Sequence, residues 1–278
     1  MTSPRLTICL SLAAAGLLIW GVSHRLAARG SAAAELIALR RMGHPISLAE
    51  LAARFPPVPP AENAGSALEA VLAQVTDNSS DSTAAALLDP DRGPTKPWTE
   101  SEWTTAGALV ATNATVFASL HDILQRPRTR LVTNMTAGYG AHLPEVFGFI
   151  NAGRVLAVSA RWAAQQRQTV RAAAQLGDAL ALARVLGEEP VCLIMVLGSS
   201  ATANLALGGL EAVLDQTRFQ DAELRQLQAG LDRCWSTNLI ERAIVAELCF
   251  GLSLADHAAT NAGALLAPGT GGGLYLKI

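Results

Sequence analysis

An all-α fold is predicted for this chain, an irregular antiparallel helical array of solenoid-like character behind an N-terminal transmembrane helix. Three observations lead there. The composition is 50% hydrophobic but only 16% charged and 5% aromatic, and alanine and leucine dominate it, a mixture that favours closely packed helices over strands. Apolar residues recur at helical spacing between proline and glycine breaks. Finally, Leu6 to Val22 is an uncharged run that would rise about 26 Å as a helix, close to a hydrocarbon core of roughly 30 Å.

Residues 1–30 therefore read as a membrane anchor. The Leu6–Val22 run is longer than a signal-peptide core, and SHRLAARG after it offers no clean small-x-small cleavage site. Trp20 suits the interface, and Arg5 with an export-like core points to a single-pass protein whose helices lie outside the cytoplasm, whereas Arg25, Arg29, Arg40 and Arg41 after the run favour the opposite topology by positive-inside count. Residues 31–76 follow as a helical stalk and short helices. Ser47 and Glu50 spell a capping box, with Leu48, Leu51 and Phe55 on one face, and Pro56–Pro60 form a stiff connector to a helix striped by Leu68, Val71, Leu72 and Val75.

Residues 77–98 read as a polar, proline-bearing loop in which Asp89, Asp91 and Gly93 give a fragment of a calcium loop without its closing glutamate. Residues 99–256 form the helical core domain. Thr99 and Glu102 make a second capping box, and Trp103, Val110, Phe117 and Leu124 predict one long core helix up to Pro127. Pro144 opens a helix to about Gln165, QTVRAAAQLGDALALARVLGEEP supplies another, and Pro190 starts a third whose residues 191–210 carry no charge. That segment is long enough to be a second span, but Ser199, Ser200, Thr202, Asn204 and its glycines fit the middle of a bundle better. Leu224, Leu227, Leu231 and Cys234 line the next helix, and 257–278 is a Gly-rich tail. The cysteines lack CxxC spacing and read as buried thiols, with one disulfide as the alternative.

The chemistry suggested by the residues is sparse. A net charge of -2 without a Lys/Arg cluster argues against a nucleic-acid partner. HExxH, G-x-S-x-G, S-x-x-K and P-loop patterns are missing, so no catalytic, cofactor-binding or metal residue is assigned and no cofactor is expected. His142 and Glu145 fall near one helix start and read as a turn histidine beside a capping acid. Glu247 sits in an apolar run, ERAIVAELCFGLSLAD, and if buried needs a donor. Arg154 and Arg161, seven residues apart and so on one helical face, are its expected ion-pair partners. The expected function is a non-enzymatic scaffold or protein-binding module, with an unidentified protein partner and a membrane reached through residues 6–22. The alternatives are a hydrolase-like enzyme using Glu247 or Glu145, and a multi-span membrane protein.

Several segments, taken with the apolar leader, share one layout. They are MGHPISLAELAARFPPVPPAENAGSALEAVL, Leu143–Pro144, Gly177–Asp178, Glu189–Pro190 and AELCFGLSLAD. This layout resembles a family of uncharacterised bacterial membrane-anchored α-helical proteins. The resemblance implies a helical-hairpin array reminiscent of tetratricopeptide solenoids and lends no activity. A fixed repeat of about 34 residues is missing here, which makes an irregular array the expectation.

Overall fold

The computed structural model describes residues 32–59, 62–89, 92–93, 95–126, 128–189, 191–234 and 238–265. The Leu6–Val22 run lies outside them, as do Asp91, Pro190 and the chain after Leu265. All regular elements among the described residues are helical. They are α1 (Ala32–Arg41), α2 (Leu48–Ala53), α3 (Gly65–Leu72), α4 (Ser82–Leu87), α5 (Glu100–Thr112), α6 (Ala114–Leu124), a 3-10 turn (Met135–Gly140), α7 (Val146–Gln165), α8 (Thr169–Glu188), α9 (Leu193–Leu214), α10 (Asp221–Cys234) and α11 (Leu239–Leu265). The helical array expected from composition is what these residues form.

Local capping signals account for the starts of α2, α4 and α5. Thr99 caps α5 in a complete box: its Oγ1 accepts from Glu102 N at 3.3 Å, and Glu102 Oε2 accepts from Thr99 N at 2.7 Å. At α2 the Ser47 arm forms at 3.2 Å, but the Glu50 carboxylate takes the N–H of Ile46 at 2.8 Å rather than that of Ser47. The stretch read as loop, 77–98, contains α4, whose cap Asp81 accepts from Thr83 N at 2.7 Å and Ala84 N at 3.1 Å. The last helix also runs past residue 256, to Leu265, so the tail boundary at 257 falls inside it.

The single helix expected from Trp103 to Leu124 is two, α5 and α6, parted at Asn113. Asn113 is fully buried. Its Nδ2 donates to Thr76 O at 2.8 Å and Leu109 O at 2.9 Å, and its Oδ1 accepts from Thr76 N at 2.9 Å. A buried amide must satisfy its polar atoms, and here it does so by stitching the 73–81 loop to the break. Apolar spacing continues across the break, so the pattern alone does not reveal it.

The centre of the fold is α7, α8 and α9. Gly198 of α9 lies against Val146 and Leu186, whereas Gly209 lies against Ala157 and Leu176, so α9 runs parallel to α7 and antiparallel to α8. A Cβ at Gly209 would stand 3.0 Å from both Ala157 Cβ and Leu176 Cδ2, and one at Gly153 would stand 2.9 Å from Thr202 Cγ2. The glycines that weaken an isolated helix therefore admit neighbouring helices closely. Ser199 and Thr202 are buried, donating to Ala183 O at 2.7 Å and Gly198 O at 2.8 Å. Of the described helices, α9 is the one long and apolar enough to cross a membrane, with 39% of its most apolar window buried. α10 packs on α8, where Cys234 Sγ donates to Leu180 O at 3.1 Å. Cys192, Cys234 and Cys249 are all free thiols, and burial pushes each thiol pKa up.

The N-terminal section is tied to this centre by polar contacts. Arg130 is buried, pairs with Glu189 at 2.7 Å, donates to Phe55 O and, at 3.0 Å, to Pro56 O, and lies over the Phe55 ring. Burial pushes the Glu189 carboxyl up, and the Arg130 charge opposes that shift.

The close approach at Gly209 has a measurable consequence. Gly209→Val is expected to destabilise the protein by about 1–3 kcal/mol through overpacking. Gly251→Ala, where a Cβ meets nothing within 4 Å, is expected to be neutral or stabilising by up to about 1 kcal/mol from helix propensity. Urea midpoints of the two variants check the pair.

Candidate functional site

The structure separates the three residues expected to form an ion pair. Glu247 is exposed, and its Oε1 accepts the backbone N–H of Leu193 at 2.7 Å. It thus meets an otherwise open donor at the start of α9, where the helix dipole also favours a carboxylate. Among the described residues it pairs with neither Arg154 nor Arg161. The physical reason is that α11 packs its Ala243, Ala246 and Cys249 inward, which turns Glu247 outward. His142 and Glu145 also stay apart. His142 Nε2 reaches Glu69 at 3.2 Å, and Glu145 is the exposed residue before α7.

Arg154 and Arg161 do share a face of α7, as their spacing requires, and both line one cleft of about 280 Å³. Its walls come from the end of α4 and the loop after it (Leu87, Leu88, Asp89, Arg92, Trp98), from α7 (Arg154, Val158, Arg161) and from α9 (Asn204, Leu205, Gly208, Gly209, Ala212). Three guanidiniums therefore converge on a largely aliphatic recess.

They are not equivalent. Arg92 is committed to Glu102: Nη1 meets Oε1, Nη2 meets Oε2 at 3.2 Å, and Nη2 also donates to Pro97 O at 3.2 Å. That bidentate contact, with the cap N–H of Thr99, holds the Glu102 carboxyl down to about 2. Arg161 is buried, stacks 4.3 Å from the Trp98 ring centroid and donates Nη2 to Lys96 O at 2.6 Å. Burial first, and the nearby Arg92 charge second, lower its pKa, although a guanidinium stays protonated. Arg154 makes no ion pair or hydrogen bond among the described residues, and its Nε is buried without an acceptor. Only Arg154 is thus left with its charge unanswered by a direct contact.

Neither Glu247 nor any histidine lines this cleft, and the described residues hold no cluster of three or more His, Cys, Asp or Glu side chains that could bind a metal. Of the calcium-loop fragment, Asp89 lines the cleft and Asp91 lies outside the described residues. Sequence spacing could place Arg154 and Arg161 together, but the wall formed by Arg92 and Trp98 comes from a distant loop and left no local signal.

A second polar centre escaped the sequence reading. Asp178 on α8 is buried, and His121 Nδ1 on α6 lies 2.9 Å and 3.1 Å from its two oxygens. Desolvation pushes the Asp178 carboxyl up to about 6, with the His121 hydrogen bond and charge pulling the other way. No family model, curated protein or solved structure matches the chain, so its function is argued from these geometries.

Because Asp178 holds its proton more tightly in the folded state than at its ordinary value of 3.8, its contribution favours folding below about pH 4 and is lost as pH rises through about 6. Relative to Asp178→Asn, the wild type is expected to lose about 2–3 kcal/mol of unfolding free energy between pH 4 and pH 7. Urea denaturation across that range measures it, and a pH-independent difference would contradict the assignment.

Proposed function

We propose that the chain is a non-enzymatic binding module, held at a membrane by Leu6–Val22 with its helices outside the cytoplasm, and that the arginine-bounded cleft receives an anionic group of its partner or ligand. One observation carries this reading: Arg154 projects a fixed positive charge into a partly apolar recess with no direct counter-ion among the described residues. Guanidiniums remain charged at all ordinary pH values, so they suit recognition of an anion rather than proton transfer. Small-molecule sites commonly combine apolar walls with a few fixed polar groups in this way.

The reading is tested by melting the full chain with amphiphilic carboxylates, phosphate monoesters and sulfonates beside their neutral homologues. A ligand at about 100 times its Kd adds about 2.7 kcal/mol, which raises Tm by roughly 5–10 °C for a domain of this size. The expected result is a shift for at least one anion that Arg154→Ala abolishes. Equal shifts for anionic and neutral homologues would overturn it.

A second reading, in which α9 crosses a bilayer, draws on its exposed Ile194, Leu197 and Leu214. Carbonate extraction of a chain lacking residues 1–30 separates the two. Release into the supernatant is expected for the binding module, and retention in the membrane for the multi-span protein.

A further inference from the structure

We infer that the cleft ligand is a monoanionic carboxylate on a short apolar stem, with the carboxylate held by the Arg154 guanidinium and the stem lying along α4, α7 and α9. This rests on the anion-binding reading above and names its ligand class.

The free donor is Arg154. Arg92 is tied to Glu102 and Pro97 O, and Arg161 is fixed between the Trp98 face and Lys96 O. Both act as walls. The Nε of Arg154 is covered, which leaves its two terminal nitrogens, and their separation matches the two oxygens of one carboxylate. Asn204, exposed at the α9 rim of the same cleft, adds an amide donor for a further lone pair.

The charge tolerated is no more than one. Among the described residues, the guanidiniums of Arg92, Arg154 and Arg161 are accompanied by Glu102 on Arg92, by Asp215, whose charge acts on Arg161, and by Asp89 in the cleft wall. Arg154 also borders an adjoining recess that carries Asp77 as well as Asp89. A monoanion meets the exposed fork of Arg154 with these carboxylates at a distance. A dianion brings a second charge against them, and at an effective dielectric of about 20 one like charge about 8 Å away weakens binding by roughly 30-fold. A phosphate monoester is therefore disfavoured relative to a carboxylate of the same stem.

The stem length follows from the space. A cleft of about 280 Å³ holds about nine water-sized units at about 30 Å³ each, which corresponds to a carboxylate with roughly six or seven further carbons. Leu87, Leu88, Val158, Leu205 and Ala212 supply the apolar contact, and Gly208 and Gly209 keep the floor free of side chains. Each methylene buried is worth about a four-fold gain in affinity, until the cleft is full.

Calorimetric titration of the full chain with butanoate, hexanoate, heptanoate, octanoate and decanoate tests the inference, with hexyl phosphate, 1-octanol and N-acetyl-leucine as comparison ligands. The expected result is roughly four-fold tightening per methylene up to octanoate, no further gain at decanoate, and hexyl phosphate at least ten-fold weaker than heptanoate. Arg154→Gln should weaken octanoate by at least ten-fold with its melting temperature unchanged, and Asn204→Asp should weaken it while leaving 1-octanol unaffected. If N-acetyl-leucine binds more tightly than octanoate, the carboxylate is a peptide chain end; if more weakly, it is a fatty acid. Tighter binding of hexyl phosphate than heptanoate overturns the carboxylate assignment and leaves the anion-binding reading standing. Binding of 1-octanol equal to octanoate, or no binding by any member of the panel, overturns both.

Discussion

The close approach of α7 and α9 is the constraint on which the rest of the molecule depends. It exists because Gly153 faces Thr202, Gly198 faces Val146 and Gly209 faces Ala157, so backbone meets side chain with almost nothing between. Helices this near each other exclude large side chains from their seam. The consequence appears at the surface: opposite Arg154 and Arg161 of α7, α9 offers Leu205 as its one large side chain beside Asn204, Gly208, Gly209 and Ala212, and the cleft opens there. Packing economy in the core and space at the site have the same cause.

Around that seam the buried polar groups work as latches between parts of the chain far apart in sequence. Asn113 fastens the loop after α3 to the junction of α5 and α6, Arg130 joins the proline connector to Glu189, and His121 joins α6 to α8 through Asp178. Each satisfies a polar atom that would be costly to bury alone. Apolar contact is non-directional, and an irregular array without a repeat needs such directional contacts to fix which helix lies beside which.

The sequence conveyed the helical class, the complete Thr99–Glu102 cap and the shared face of Arg154 and Arg161, because each of these is set by neighbours within about two turns. It misplaced Glu247 for an equally physical reason. In a run with apolar residues on nearly every side, the inward face is chosen by the partners of α11, among them Pro45, the 3-10 turn, the end of α8 and the start of α9. The break at Asn113 and the His121–Asp178 contact depend on residues 37 and 57 positions apart, beyond the range of any local pattern. The loop wall of the cleft was hidden in the same way.

The contact between Cys249 Sγ and Pro45 O, at 3.3 Å, joins positions 204 apart, and His44 lies 3.5 Å from Glu241 nearby. The loop before α2 is thereby buttoned to α11, so early and late helices of the described array hold each other. Through Glu247 the last helix also meets the first turn of α9, whereas the arginine recess lies toward that helix's opposite end, about 20–25 Å along its axis.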